Sequence, residues 1–173
     1  MKQGAALDTA TIDAYTYIMR REKDLGRDGE EGRKFEFPCA CANLRRATRA
    51  VTRLYDDELR GAGLTTTQFT LLQVLERAQG IRQGKLGALL SADSTTLTRT
   101  LAPLIRKGWI KSLEGEDRRE RRMELTEAGR KKLERAWPNW EQAQKRLKAK
   151  LGDPGWEELQ KLLGWAKAAA ETA

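Results

Sequence analysis

The 173-residue chain contains no histidine. That absence removes whole classes of chemistry. A Ser-His-Asp or Cys-His relay cannot be built, nor can a metal site with an imidazole ligand. The two cysteines, Cys39 and Cys41, are spaced C-x-C. They are too few for a disulfide scaffold and supply too few thiolates for a structural zinc site within one chain. No Walker or dinucleotide glycine pattern occurs. An enzyme is therefore not expected, and neither is a metal or a cofactor. Long apolar runs are missing too. Nothing approaches the ~20 residues that span a bilayer, and the opening MKQGAALDTATID has no signal-peptide apolar core. A cytoplasmic protein without a membrane partner is expected.

What is present is charge. Lys and Arg number 33 against 25 Asp and Glu, a net of +8, and 34% of the residues are charged against 39% hydrophobic. This is polar for a lone globule and suits a chain that completes its burial in an oligomer. The charge is uneven. Residues 1–37 carry a net of −1, residues 38–125 a net of +6 and residues 126–173 a net of +3. A basic middle points to a polyanionic partner.

The periodicity is helical almost throughout. Residues 8–25 place Ile12, Tyr15, Ile18, Met19 and Leu25 on one face, with Asp8 or Thr9 as cap. The glycine-rich, charged GRDGEEGRKFEF then reads as a linker. Pro38 opens a second helix with the apolar stripe Leu44, Ala47, Val51, Leu54 and Leu59. Arg45, Arg49 and Arg53 line another of its faces, ordinarily a solvated one. After GAGL, Thr65 and Gln68 fit a capping box, and Phe69, Leu72, Val74 and Leu75 predict a buried helix. The next stretch, GIRQGKLGALLSADSTTLTRTLAPLIRKGWI, predicts two short helices broken at Ser91–Asp93. Gly84 and Gly87 weaken the first, each by up to about 1 kcal/mol relative to alanine. Asp93 or Ser94 caps the second, which is expected to bury Leu97, Leu101, Leu104 and Ile105 and to kink at Pro103.

GWIKSLEGEDRRERRMELT predicts a β-hairpin with a charged loop, in which Arg121, Met123 and Leu125 alternate with Arg122 and Glu124. Thr126 then caps a long helix containing Leu133, Trp137, Trp140, Ala143, Leu147 and Leu151, with a bend expected at Pro138. Gly152 ends it, Asp153 caps the last helix, and Pro154 takes the first turn. That helix carries Trp156, Leu159, Leu162, Leu163 and Ala166.

Two stretches carry recognisable chemistry. Arg118, Arg119, Arg121 and Arg122 are interrupted only by Glu120. A charge run is ordinarily a solvated turn, but cations this crowded repel one another unless an anion lies near. A nucleic-acid backbone supplies one, with a negative charge per ~1.7 Å of duplex. The second stretch is the exposed start of the helix after Asp93, where Ser94, Thr95, Thr96 and Thr98 offer short hydroxyls and Arg99 a fork of donors. Hydroxyls bond phosphates and bases, and arginine reads guanine in a major groove.

A hairpin directly after two short helices is a winged helix. The blocks LRRATRAVTRLYDDELRGAGLTTTQFTLLQVL, LGALLSADSTTLTRTLAPLIRKGWI and EDRRERRMELTEAG resemble successive parts of the MarR family of bacterial transcription regulators. The resemblance covers about residues 38–170. It implies a mainly α protein: a winged helix-turn-helix with a two-strand β-wing and long N- and C-terminal dimerisation helices. It divides the chain into an N-terminal extension (1–37), a helical dimerisation region (38–64 and 126–173) and a DNA-binding region (65–125). It further implies a homodimeric, nucleoid-associated repressor that binds a palindromic operator in double-stranded DNA. Within the wing, Asp117 and Arg119 match the family's Asp-x-Arg; Arg119 would enter the minor groove and Asp117 would orient the arginine loop. Arg118, Arg121 and Arg122 are secondary, and one of them is expected to pair with Glu120 or Glu124.

The signal implied is either a small aromatic ligand or an organic hydroperoxide. For the first, Tyr55, Phe69, Trp137 and Trp140 are candidate lining residues of a cleft between the two lobes. For the second, Cys41 precedes Leu54–Tyr55 by the spacing of the hydroperoxide-sensing branch, in which the tyrosine at Tyr55 bonds the thiolate. Two further tyrosines of that site are replaced here by Arg45 and Thr66. Cys39 and Cys41 lie at a predicted helix N-terminus, where the dipole favours a thiolate. Residues i and i+2 of a helix point about 200° apart, which argues against an internal disulfide. The competing classes are a thiol oxidoreductase and a protein-binding winged helix.

Overall fold

A computed structural model describes residues 39–114 and 121–171. The expected first helix over 8–25, its linker and Pro38 lie outside the described residues. Helix α1, Ala40–Leu59, begins after Cys39, whose extended backbone (φ −85°, ψ 115°) makes it the N-cap. A 3-10 turn, Arg60–Ala62, and Gly63 with φ 64° end the helix. Helix α2, Thr66–Ala78, starts with the expected capping box: Thr65 accepts from the Gln68 amide at 3.3 Å, and the Gln68 side chain accepts from the Thr65 amide at 3.2 Å. Asp56 of α1 accepts from both the amide and the hydroxyl of Thr66 at 2.6 Å, tying the two helices together.

α2 buries Phe69, Leu71, Leu72 and Leu75. Leu71 takes the place expected for Val74, which is only partly buried at the edge of the core. Strand β1, Ile81–Arg82, follows, then α3, Gln83–Leu89, and α4, Ser94–Arg106. α4 buries Leu97, Leu101 and Leu104, whereas Ile105, expected inside, is 37% exposed. At 100° per residue Ile105 stands about 80° from Leu97, at the margin of the buried arc. Pro103 and Pro138 do not interrupt their helices. Each costs one backbone hydrogen bond, and packing on either side holds the helix through it.

Strands β2, Ile110–Glu114, and β3, Arg121–Leu125, form the predicted hairpin, pairing Ile110 with Leu125 and Ser112 with Met123. The sheet has a third member. β1 pairs antiparallel with the other edge of β3, Ile81 opposite Met123, in the order β1-β3-β2. Its two residues fall within the stretch whose composition predicts only helices.

Helix α5, Glu127–Glu171, is broken at Gly152 (φ 70°, ψ 167°), as expected from GDPGW. Its start is keyed to the wing. Thr126 donates its hydroxyl to the Gly108 carbonyl at 2.7 Å and accepts from the Gly129 amide at 3.1 Å. A Cβ on Gly129 would lie 2.1 Å from the Trp109 carbonyl oxygen. The LTEAG block is thus a joint: threonine caps the helix, and only glycine lets it approach the strand this closely.

The core lies between α2, α3, α4, the sheet and the first half of α5, around Phe69, Leu72, Leu86, Leu104, Ile110 and Met123. Much of the remaining apolar pattern stays outside it. Leu44 at the start of α1, and Leu151, Leu162, Leu163 and Trp165 late in α5, are exposed, Trp165 by 71%.

Candidate nucleic-acid interface

Two features set the turn between α3 and α4. Ser91 adopts φ 49°, and a Cβ on the buried Gly87 would come within 3.1 Å of the Ala92 carbonyl oxygen. Gly87 therefore answers the helix-weakening expected of it: it lets α3 close on the turn. Asp93 caps α4, accepting from the Thr96 amide at 2.8 Å and the Thr96 hydroxyl at 2.7 Å. These hydrogen bonds, backbone first, hold its carboxyl below the usual carboxylate value.

With Leu97, Leu101 and Leu104 turned inward, the residues diametrically opposite on a 100° helix are Thr95, Arg99, Ala102 and Arg106. All four are exposed. The predicted recognition residues therefore separate. Thr95 and Arg99 project outward at the N-terminal end. Thr96 gives its hydroxyl proton to Asp93, and Thr98 donates to the Ser94 carbonyl at 2.7 Å and accepts from Gln83 at 3.3 Å. Ser94 lines a cleft of about 670 Å³ together with Arg82, Gln83, Lys85 and Arg121. Arg82 and Lys85 escape a reading of the sequence. Their only signal there is basic character at the start of a short helix, and it takes the sheet to bring them beside Arg121.

Strand alternation divides the described part of the arginine run. Arg121 lies on the same side of β3 as the buried Met123 and Leu125 and reaches past them into the cleft. Arg122 lies on the other side with Glu124. It approaches that carboxylate at 3.5 Å, and Lys111 does so at 2.9 Å. The expected arginine–glutamate pair is thus Arg122–Glu124. The Lys111 hydrogen bond is the main cause of the lowered carboxyl pKa of Glu124. Asp117, Arg118 and Arg119 lie outside the described residues.

The candidate signal sites are arranged differently from the expectation. Phe69 is fully buried, stacked on Trp140 with centroids 5.8 Å apart and tilted against Trp137 at 6.0 Å. These rings pack against one another at the junction of α2 and α5. The nearby concavity, about 430 Å³, is lined by Glu76, Arg130, Leu133, Glu134, Trp137 and Pro138; Trp137 alone of the four predicted residues faces it. The buried Tyr55 donates to Gln144 at 2.9 Å, and burial raises its pKa. Cys39 and Cys41 are both exposed. Cys41 and Tyr55 are 14 positions apart on one continuous helix, or about 21 Å along its axis. Tyr55 therefore cannot bond the Cys41 thiolate of its own chain. Because Cys39 is extended, the helical separation of i and i+2 does not apply to the Cys39–Cys41 pair either.

This chain is similar to several transcription regulators. Residues 64–120 match the sequence profile of the MarR family. The chain is 37% identical to the M. tuberculosis transcriptional regulator MosR crystallised with DNA, with a TM-score of 0.71 over 78% of this chain and 97% of that one. It is 26% identical to a cysteine-to-serine mutant of MarR from E. coli complexed with operator DNA, with a TM-score of 0.67 over 72% of this chain and 91% of that one. An uncharacterised HTH-type transcriptional regulator of Bacillus subtilis, YwoH, is 29% identical over 91 residues, which span 53% of this chain and 66% of YwoH, just under two thirds. The match to MosR runs through nearly all of that protein, in fold as well as in sequence. This chain belongs to the MarR family of winged-helix, DNA-binding transcription regulators.

Proposed function

We propose that the chain acts as a homodimeric repressor on a palindromic operator. The observation that carries the DNA interface is the basic cleft of Arg82, Lys85 and Arg121, which Ser94 joins at the N-terminal end of α4, next in the chain to the outward Thr95 and one turn before Arg99. A helix face of this kind reads base edges in a major groove, and the cleft takes the flanking backbone. The wing tip, with Arg119 as the inserted side chain and Asp117 as its support, extends the contact into the minor groove. Arg118 adds backbone charge. Ser94, Thr96 and Thr98 shape and cap the reading helix.

The exposed apolar residues of α1 and late α5 support dimerisation through 38–64 and 126–173. One small chain does not ordinarily leave Leu44, Leu151, Leu162, Leu163 and Trp165 in water together. Derepression follows from a ligand or from oxidation. Cys41, exposed in the first turn of α1 with Arg45 one turn on, is the candidate thiol. Its thiolate would attack the peroxide oxygen, forming a sulfenic acid and releasing an alcohol. If Tyr55 assists that thiol, it does so from a second copy.

The test is anisotropy with DNA fragments selected by the purified full chain. Arg119→Ala, Arg121→Ala and Arg99→Ala should each weaken binding. The first two should make log K against log salt shallower by about 0.9 for each phosphate no longer neutralised. Binding equal to the parent at every salt concentration for all three would reject the interface. Treatment with an organic hydroperoxide should release DNA from the parent and not from Cys41→Ser. Unchanged binding in the parent, with Cys41 still a free thiol by mass, would remove the oxidative branch.

A further inference from the structure

We infer that Arg122 is a positioning residue that fixes the base of the wing against the end of α2, although it belongs to the run of cations that meets DNA; this rests on the DNA-binding reading above. Arg122 lies on the central strand of the sheet, paired with Arg82 on one side and Leu113 on the other. Its side chain turns back toward the C-terminus of α2, where Gln79 (φ 46°) and Gly80 (φ 107°) swing the chain into β1.

The Nε–Nη2 edge of the guanidinium is turned toward Gly80. A Cβ there would come within 2.6 Å of Nε, 2.7 Å of Nη2 and 3.0 Å of Cζ. Gly80 thus meets two needs: it adopts a backbone angle that side chains resist, and it leaves room for the edge of a cation where a Cβ would stand. Nη2 donates to the Gln79 carbonyl at 3.5 Å, and Nε faces Glu124 at 3.5 Å.

A helix C-terminus carries partial negative charge and carbonyls without intrahelical partners. Arg122 therefore meets negative potential in two places within the protein: the end of α2, through the Gln79 carbonyl, and the Glu124 carboxylate. Arg121, its neighbour, faces the other side of the strand and the basic cleft. Alternation along β3 turns one repulsive run into two tasks, one cation directed at phosphate and one that locks the strand carrying it.

The planar fork matters to this role. An arginine that only neutralises phosphate is replaced with little loss by lysine, because a point charge suffices. An arginine that spans a carboxylate and a carbonyl with one edge against a glycine is not. Arg122→Lys and Arg122→Met in the full chain separate the cases. Both should weaken DNA binding by about three- to tenfold, with the slope of log K against log salt unchanged. In the absence of DNA, amide exchange at Ile81 and Arg82 should accelerate in both variants.

Two results would each overturn the inference. One is a slope shallower by about 0.9 in Arg122→Met with full recovery in Arg122→Lys, the signature of a phosphate contact. The other is exchange at residues 79–82 unchanged in Arg122→Met. If Arg99→Ala, Arg119→Ala and Arg121→Ala all bind DNA like the parent at every salt concentration, the proposed interface fails instead. The exchange measurement still decides Arg122.

Discussion

At the scale of single residues, glycine and arginine do the least expected things. Gly129 looks in the sequence like one small residue in a helical stretch, where alanine would be the better helix former. In the fold its missing Cβ is the clearance between α5 and the Trp109 carbonyl. Gly129→Ala should therefore destabilise the protein by about 1–3 kcal/mol, the usual cost of overpacking, despite the gain in helix propensity. Thermal unfolding checks this; an unchanged or raised melting temperature would mean that the joint relaxes freely. Around the same indole gather Lys107 and Lys132, 4.6 and 4.8 Å from its centroid. Lys132 also donates to the Ala62 carbonyl after α1. Burial is the first cause of its lowered pKa, and the charges of Lys107 and Arg135 add to it. Apart from Lys107, two residues from Trp109, little of this is readable from spacing, because Gly129 and Lys132 meet Trp109 and Ala62 from 20 or more residues away.

At the scale of elements, what the sequence expresses locally survives in the fold. The Thr65–Gln68 capping box, the Asp93 cap and the Gly152 break are interactions among residues three or fewer apart, so they are legible before folding. β1 is not. Two residues cannot display an alternation, and Ile81–Arg82 is a strand only because β3 lies beside it. The cap of α4 has a pH signature. Hydrogen bonding lowers the Asp93 carboxyl below its ordinary value of 3.8. Its contribution is therefore fully present above about pH 4 and is lost as pH falls through the folded value. The Asp93→Ala variant should differ from the parent in stability by a constant amount at neutral pH, with the gap closing in acid. Parallel denaturant titrations at pH 7 and pH 3 measure this. A gap that does not shrink at pH 3 would show that the charge of Asp93 is not what caps the helix.

At the scale of the whole molecule, the apolar pattern of the sequence exceeds what one chain buries. The stripes on α1 and late α5 are amphipathic, as their spacing predicts, but periodicity cannot say whether an apolar face meets its own chain or another. The proposed ligand cleft meets a related limit of sequence pattern. Aromatic residues at helical spacing fit a lining or a filling equally well, and Phe69 packs against the two indoles. Sedimentation at micromolar concentration should find a dimer, and Leu162→Glu with Leu163→Glu should convert it to monomer while leaving the fold intact by circular dichroism. A parent that is monomeric and still binds DNA would remove the dimer proposal.

The placement of the five tryptophans also makes the chain its own optical probe. Trp137 and Trp140 lie 5.2 Å apart, close enough for their excited states to couple and to give a paired near-ultraviolet circular-dichroism band that reports on the junction between α2 and α5. Trp165 stands in water and should emit at long wavelength as an isolated chain. Dilution through the dimer dissociation range should therefore move the Trp165 emission toward the red, whereas an effector seated in the concavity beside Trp137 should change the coupled pair first. Assembly and signal reception are then distinguishable in one cuvette, without a label.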